Sequence, residues 1–473
     1  GVVFQVLTLV QPPVLVGVGR CHDSAEPVEL MARAAQAALT DSGSSELGRR
    51  IGRIAIPRGT WTIEHPGSVI AARLGCPGAH QIVAEVGVPQ QTLVSDALRG
   101  VLTGETDVAL VVGGEARAWA AGRRRESEDV AETATTAAPD VVLRPARSIV
   151  SHAEIAARCW DPVQQYALIE SALLHAEGGR LDEIDALWAR FSQVAAGNPF
   201  AAFPTARTPA ELRSPEGGNR LLAEPYRKWH STQWTVDQAA ALLVCSAGAA
   251  RAAGVPADRW VFPRVALESS WFAPLPARRD LHRWPAMRVL GEAAEAWLDR
   301  RLADLDVIEV YSCFPSAVRV QQRELGLPID ATPTVTGGMP FAGGPFNNFT
   351  YQATVTVAER LRATPGASGL VTTVSGLLTK PGLMVWSSEP GPLLLDDLTD
   401  AAEAATAVCP VEVGAQGEAT IVASTVLADG ESIAIAERPD GARVVARSGP
   451  ERADGEDLGR IGRRAWIQDV TFL

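Results

Sequence analysis

The chain has 473 residues, enough for two or three domains with sizeable cores, and its 47% hydrophobic and 21% charged content is that of a water-soluble globular protein. A formal net charge of −12 with a pI near 5.2 counts against a nucleic-acid partner, because phosphate contacts need Lys and Arg clustered on one face. No apolar run reaches the ~18 residues of a membrane helix, and six cysteines without disulfide-like or metal-like spacing point to no metal site and a reduced, cytoplasmic compartment.

Gly1 to Gly19 is apolar but has no basic leader and carries Gln5, Gln11 and two prolines, so no secretion signal is expected. Within it, Pro13 to Gly19 reads as a short buried strand. Ser24-Ala-Glu-Pro then opens a helix with Pro27 in its first turn. Val28, Met31, Ala35, Ala38 and Leu39 recur at helical spacing, and Gly43 stops it. Pro89 to Gly104 repeats that plan, proline at the start and glycine at the stop. It leads into Asp107-Val-Ala-Leu-Val-Val-Gly-Gly, a continuous apolar strand of the kind buried on both faces.

Residues 115–228 break the rhythm. The basic run Arg123-Arg124-Arg125 and polar 126–139 read as solvated loop, and 160–177 and 182–196 as helices. Asn198-Pro-Phe-Ala-Ala-Phe follows. Trp229-His230 and Trp234 suit either the mouth of a pocket or a rim of core aromatics. Asp237-Gln-Ala-Ala-Ala-Leu-Leu-Val-Cys-Ser is another apolar strand.

In the second half, Asp306 to Pro315 is strand-like. Residues 337–349 hold four glycines in eight positions, a loop that lets backbone approach a ligand. A helix over Phe349 to Ala363 and a strand over Gly369 to Gly376 mirror the unit that ends at Gly104 and its strand, roughly 260 residues earlier, which suggests an internal duplication of helix-layered sheets. From Pro392 onward, short alternating runs separated by Ala-Asp-Gly, Pro-Asp-Gly and Ala-Asp-Gly turns predict an antiparallel sheet or small barrel of the oligonucleotide/oligosaccharide-binding (OB-like) type.

From about residue 13 to 390 these pieces resemble the thiolase superfamily, in its acetyl-CoA acetyltransferase and sterol-carrier-protein-type branch. Gly337-Gly338, four residues, then Gly343-Gly344-Pro345 is similar to the family's Gly-Gly, four residues, Gly-His-Pro loop, with Gly344 in the histidine's place. Tyr311-Ser312-Cys313-Phe314 is similar to the Asn-Glu-Ala-Phe loop, and keeps the Cys-Phe pair of the sterol-carrier His-Asp-Cys-Phe. Asn198-Pro199 resembles that branch's Asn-Pro element. Asp237-Gln238 resembles the start of the Asp-Gly-Ala-Ala-Ala strand, with glutamine for glycine.

The resemblance implies an α/β fold of duplicated βαβαβ layers, stacked α-β-α-β-α, with an N-terminal half over 1–255 that includes an inserted region 115–235. A C-terminal half would cover 256–391 and the extra barrel 392–473. It implies acyltransferase chemistry of lipid metabolism on CoA thioesters, with CoA or acyl-CoA as ligand and no further cofactor. In that family a cysteine thiolate at a helix N-terminus takes the acyl group, a histidine assists it, and a second cysteine moves the proton. Counting back from Gly104 puts Gly87 at the first cysteine's place, and the second falls near Thr373 to Gly376, with Ser375 a candidate. The catalytic set is therefore expected to be substituted. Candidate nucleophiles are Cys313 and Ser375, and candidate thioester contacts are Ser312, Gly343, Gly344, Asn347, Asn348 and Lys380. Plainer roles stay open: Cys313 as a small buried hydrophobe, Asn347 and Asn348 as caps for the helix at Phe349, and Lys380 as a solvated cation rather than a partner of a CoA phosphate. The other expectation is a non-catalytic scaffold docking a protein partner through the barrel.

Overall fold

The structure is a computed structural model that describes residues 11–126, 130–135, 137–448, 461–468 and 470–472. Two mixed sheets form its centre. The first contains β1 (Pro13–Cys21), β2 (Ile51–Pro57), β3 (His80–Ala84), β4 (Val108–Ala116), β5 (Val141–Leu143) and β6 (Asp237–Ser246), in the order β1-β6-β4-β2-β3-β5. The second contains β7 (Phe262–Glu268), β8 (Val307–Glu309), β9 (Ser368–Ser375), β10 (Lys380–Ser387) and β11 (Leu394–Asp397), in the order β8-β9-β10-β7-β11.

Pairing directions reveal the duplication. In the first sheet β2 and β4 are parallel, β4 and β6 antiparallel, β6 and β1 antiparallel. In the second, β8 and β9 are parallel, β9 and β10 antiparallel, β10 and β7 antiparallel. The same four-strand plan occurs twice, each copy feeding its long apolar strand from a helix. That helix is α2 (Gln90–Thr103) before β4 and α6 (Phe349–Ala363) before β9. Gly104 in the left-handed conformation ends α2 as its position predicted.

Both helices touch both sheets and so lie in the layer between them. On the outer face of the first sheet sits α1 (Pro27–Asp41), with Pro27 in its first turn and Val28, Met31, Ala35, Ala38 and Leu39 buried. The outer face of the second sheet is covered by the helix Pro285–Leu298, which packs on β7 and β10; beside it lies α5 (Pro315–Glu324), with α3 (Pro162–Glu177) and α4 (Leu181–Ala196) packed on α5. A buried Glu170–Arg319 pair joins α3 to α5.

Two local expectations are corrected. The strand expected over Asp306 to Pro315 is only Val307–Glu309, because the chain then peels away to start α5. Val310 N–H turns to the Pro333 carbonyl and Tyr311 N–H to Thr372 Oγ1, leaving no ladder to extend. Arg123, Arg124 and Arg125 end a helix, Arg117–Arg125, rather than lying in a loop; three cations at a helix C-terminus suit its dipole. Of the loop expected over 126–139, residues 127–129 and 136 lie outside the described residues.

The C-terminal strands β12 (Gln416–Val426), β13 (Ser432–Glu437), β14 (Arg443–Ser448), β15 (Arg464–Gln468) and β16 (Thr471–Phe472) close a barrel in the order β12-β13-β14-β16-β15. Gly430 and Gly441, φ +84° and +83°, make the first two Asp-Gly turns, while the third, at 453–455, lies outside the described residues. The barrel is fixed to the rest of the chain. Arg443 donates to the carbonyls of Arg278 and Arg279, and Ser424 N–H donates to Ser171 Oγ at 3.1 Å. No helix among the described residues is long and apolar enough to cross a membrane.

Candidate functional site

The expected site residues meet where α2 and α6 begin. Gly87, just before α2, has φ +100°, and a Cβ there would lie 3.1 Å from Pro145 Cγ. Its carbonyl oxygen accepts from Lys380 Nζ and, at 3.4 Å, from Ser375 Oγ. Ser375 and Lys380 face one another in the β9–β10 register, so one hairpin end delivers both side chains to one oxygen. Lys380 is therefore not a solvated cation: it is 4% exposed, and burial pulls its ammonium down to about 8.

The turn between them is unusual. Gly376, Leu377 and Leu378 have φ of +62°, +59° and +61°, a left-handed run that costs bulky leucines about 1–3 kcal/mol each. Thr379 Oγ1 donates to the Gly376 carbonyl at 2.9 Å, and the buried Arg278 guanidinium reaches the same oxygen at 3.4 Å.

The second loop, 311–314, lies against the first. Tyr311 hydroxyl accepts from Gln90 Nε2 at 3.5 Å. Ser312 is buried, and its Oγ accepts from Met339 N–H at 3.1 Å, which fixes the glycine-rich loop. Cys313 is 7% exposed, and burial pushes its thiol up to about 12; the sulfur is thus a protonated, packed group. Its carbonyl takes both the N–H and the hydroxyl of Thr232 at 3.1 Å.

In the third loop, Gly343 lies against Gln238, and a Cβ on Gly344 would fall 2.1 Å from Thr232 Cγ2. Any side chain at 344 would have to displace that threonine. Neither asparagine caps α6 with its side chain. Asn347 Nδ2 donates to the Arg58 carbonyl at 2.8 Å, and the buried Asn348 side-chain amide has no hydrogen-bond partner among the described residues.

Glu309 tethers the approach to this loop, its carboxyl accepting from Val335 N–H at 2.7 Å, Thr336 N–H at 2.9 Å and the Thr334 hydroxyl at 2.9 Å. Burial nonetheless raises it to about 7.

Sequence reasoning missed Gln90 and the inward course of Lys380. Gln90 ties the two helix starts together: its Oε1 accepts from Thr350 N–H at 2.9 Å, and its carbonyl accepts from Tyr351 hydroxyl at 3.0 Å. Lysine scarcity was the available signal for Lys380, since Lys228 is the only other lysine in the chain. Gln238 was noticed as a substitution, and its role is now visible. Its Nε2 donates to the Ala342 carbonyl at 2.9 Å and lies 3.4 Å from His22 Nδ1. Behind it opens a groove of about 380 Å³ walled by His22, Phe200, Phe203, Val236 and Gln238. Burial, aided by the Arg20 charge, pulls His22 down to about 4, so its ring is neutral.

No family model matches the chain, and a search of curated proteins finds no relative. Solved structures do match. A monomeric SCP2-thiolase-like protein type 1 from Mycobacterium smegmatis is 28% identical over 97% of both chains, with a TM-score of 0.82. The Ltp2–ChsH2(DUF35) aldolase is 18% identical over 81% of this chain and 100% of its own, TM-score 0.62. Human mitochondrial 3-ketoacyl-CoA thiolase in complex with CoA is 14% identical over 81% and 99%, TM-score 0.57.

Proposed function

We propose, for a chain that belongs to the thiolase superfamily, that it binds acyl-CoA thioesters where the three loops meet and does not perform classical thiolysis there. One observation carries this reading: the Gly87 carbonyl is engaged by Lys380 and Ser375, where the resemblance calls for a cysteine with a histidine beside it. Thiolate attack needs a sulfur of lowered pKa and a base within hydrogen-bond reach. Cys313, the cysteine of these loops, has its pKa raised instead, and Gly344 brings no imidazole.

The left-handed Gly337-Gly338 turn, the buried Ser312 and the Asn347-Asn348 pair support the binding half of this reading. Titration calorimetry with CoA, acetyl-CoA and longer acyl-CoAs tests it. Saturable binding is expected, and no heat at millimolar ligand would remove the premise. A docking role for the barrel is favoured by Trp466, 53% exposed on β15. A pull-down of thiolase-fold or acyl-CoA enzymes that survives Trp466→Ala would count against that surface.

A further inference from the structure

We propose that the Lys380 amine is an acyl acceptor, a lysine nucleophile that takes an acyl group from a thioester and keeps it as an amide. The proposal rests on reading the place where the three loops meet as a thioester site. Lys228 and Lys380 are the lysines of the chain, and the remaining members of its 43 Lys and Arg are arginines. A chain that uses arginine for nearly all its positive charge has buried a lysine at the one point where β9, β10 and the start of α2 meet. A guanidinium there would stay charged and inert, whereas an amine can shed its proton and attack.

Four features of the surroundings suit that chemistry. Among the described residues Nζ has a single acceptor, the Gly87 carbonyl, and no carboxylate lies within ion-pair distance to hold the proton on. Burial alone favours the neutral amine. Ser375, opposite Lys380, places a hydroxyl on the same oxygen, able to donate to a developing oxyanion. Finally, the strained Leu377-Leu378 turn fixes the hairpin end, and backbone strain of this kind collects at functional sites. Beside the buried Lys380, Ser375 is half-buried and Val86, next to Gly87 in the chain, is 41% exposed.

The step is balanced without a co-reactant. The neutral Nζ lone pair attacks the thioester carbonyl, and the tetrahedral adduct collapses with cleavage of the C–S bond. The departing thiolate takes the proton that nitrogen loses, leaving Nε-acyl-Lys380 and free thiol. Because an amide resists hydrolysis, the protein would record exposure to acyl-CoA rather than turn it over.

The test uses the full chain and two probes, acetyl-CoA and the small thioester S-acetyl-N-acetylcysteamine, with site-resolved peptide mass spectrometry at Lys380 and Lys228. Acetylation at Lys380 is expected at least ~10-fold faster than at Lys228, one pKa unit of extra neutral amine being worth that factor. Labelling of Lys380 by both probes supports the acceptor and the CoA site together. Labelling by the small thioester alone supports the acceptor and removes the CoA reading. Calorimetric binding of acetyl-CoA with neither probe favouring Lys380 overturns the acceptor and leaves the CoA reading standing.

Discussion

The two halves carry the same antiparallel strand pair joined in opposite ways. In the first, β4 and β6 are connected by residues 117–236, which supply α3, α4 and Thr232, packed against Cys313 and Gly344. In the second, β9 and β10 are joined by the four residues 376–379. A long connection costs little extra closure entropy and can bring new surface, so the first half has acquired cover for the site. A four-residue connection dictates where its flanking side chains point, so the second half has acquired a fixed Ser375–Lys380 corner, with two leucines in left-handed backbone as its strain. One copy varies the surroundings of the site and the other its floor.

The largest test of that equivalence is in the shared core. Leu242 in β6 and Leu383 in β10 occupy matching strands and are fully buried. Leu242→Ala and Leu383→Ala are each expected to cost about 2–5 kcal/mol in denaturant unfolding. A marked inequality, with one variant near wild type, would break the symmetry.

Gly87→Cys probes where the halves touch. Its positive φ and the Pro145 ring resist a side chain, so a loss of about 1–3 kcal/mol is expected, with no thiolysis gained. Unchanged melting would show that Pro145 yields freely.

Lys380→Met sharpens the account of the floor. Folding lowers the lysine from its ordinary 10.5 to about 8, so between those values the unfolded chain holds more protons and stability rises with pH. Below pH 8 the penalty is fully present. Lys380→Met should therefore raise stability at pH 7 by on the order of 1–3 kcal/mol and flatten the rise between pH 8 and 10.5. An unaltered profile would contradict the buried-cation reading.

The smallest effect belongs to Glu309, whose carboxylate accepts hydrogen bonds from four donors that offset part of its burial. Because folding raises it from 4.5 to about 7, the folded state holds the extra proton, and stability falls as pH climbs through that window. Glu309→Gln should remove this slope when unfolding midpoints at pH 5 and pH 8 are compared.

Elements with strong punctuation were legible in the sequence. Pro27 and Gly104 marked helix ends, and the apolar runs of β4, β6 and β9 were found because burial on both faces leaves them no polar alternation. The β8 strand was read too long because nothing in Tyr311-Ser312-Cys313 announces that its backbone bonds go to Pro333 and Thr372. At the site, the glycine-rich loop and the 311–314 loop meet through the Met339 N–H bond to Ser312 Oγ. What each polar side chain does was not legible, since partners such as the Gly87 carbonyl and Thr232 are tens to hundreds of residues away. Asn347 was open between cap and donor, and only the fold assigns its amide to Arg58.

The central proposal is that this thiolase-like fold does not carry out thiolase chemistry, and an assay of purified protein with acetoacetyl-CoA and free CoA tests it most directly. Without a thiolate–imidazole pair, thiolysis is expected to be undetectable or at least ~10³-fold below an ordinary thiolase. Turnover approaching ~1 s⁻¹ or more would contradict the account and send the search for a nucleophile to Cys313 first and Ser375 next.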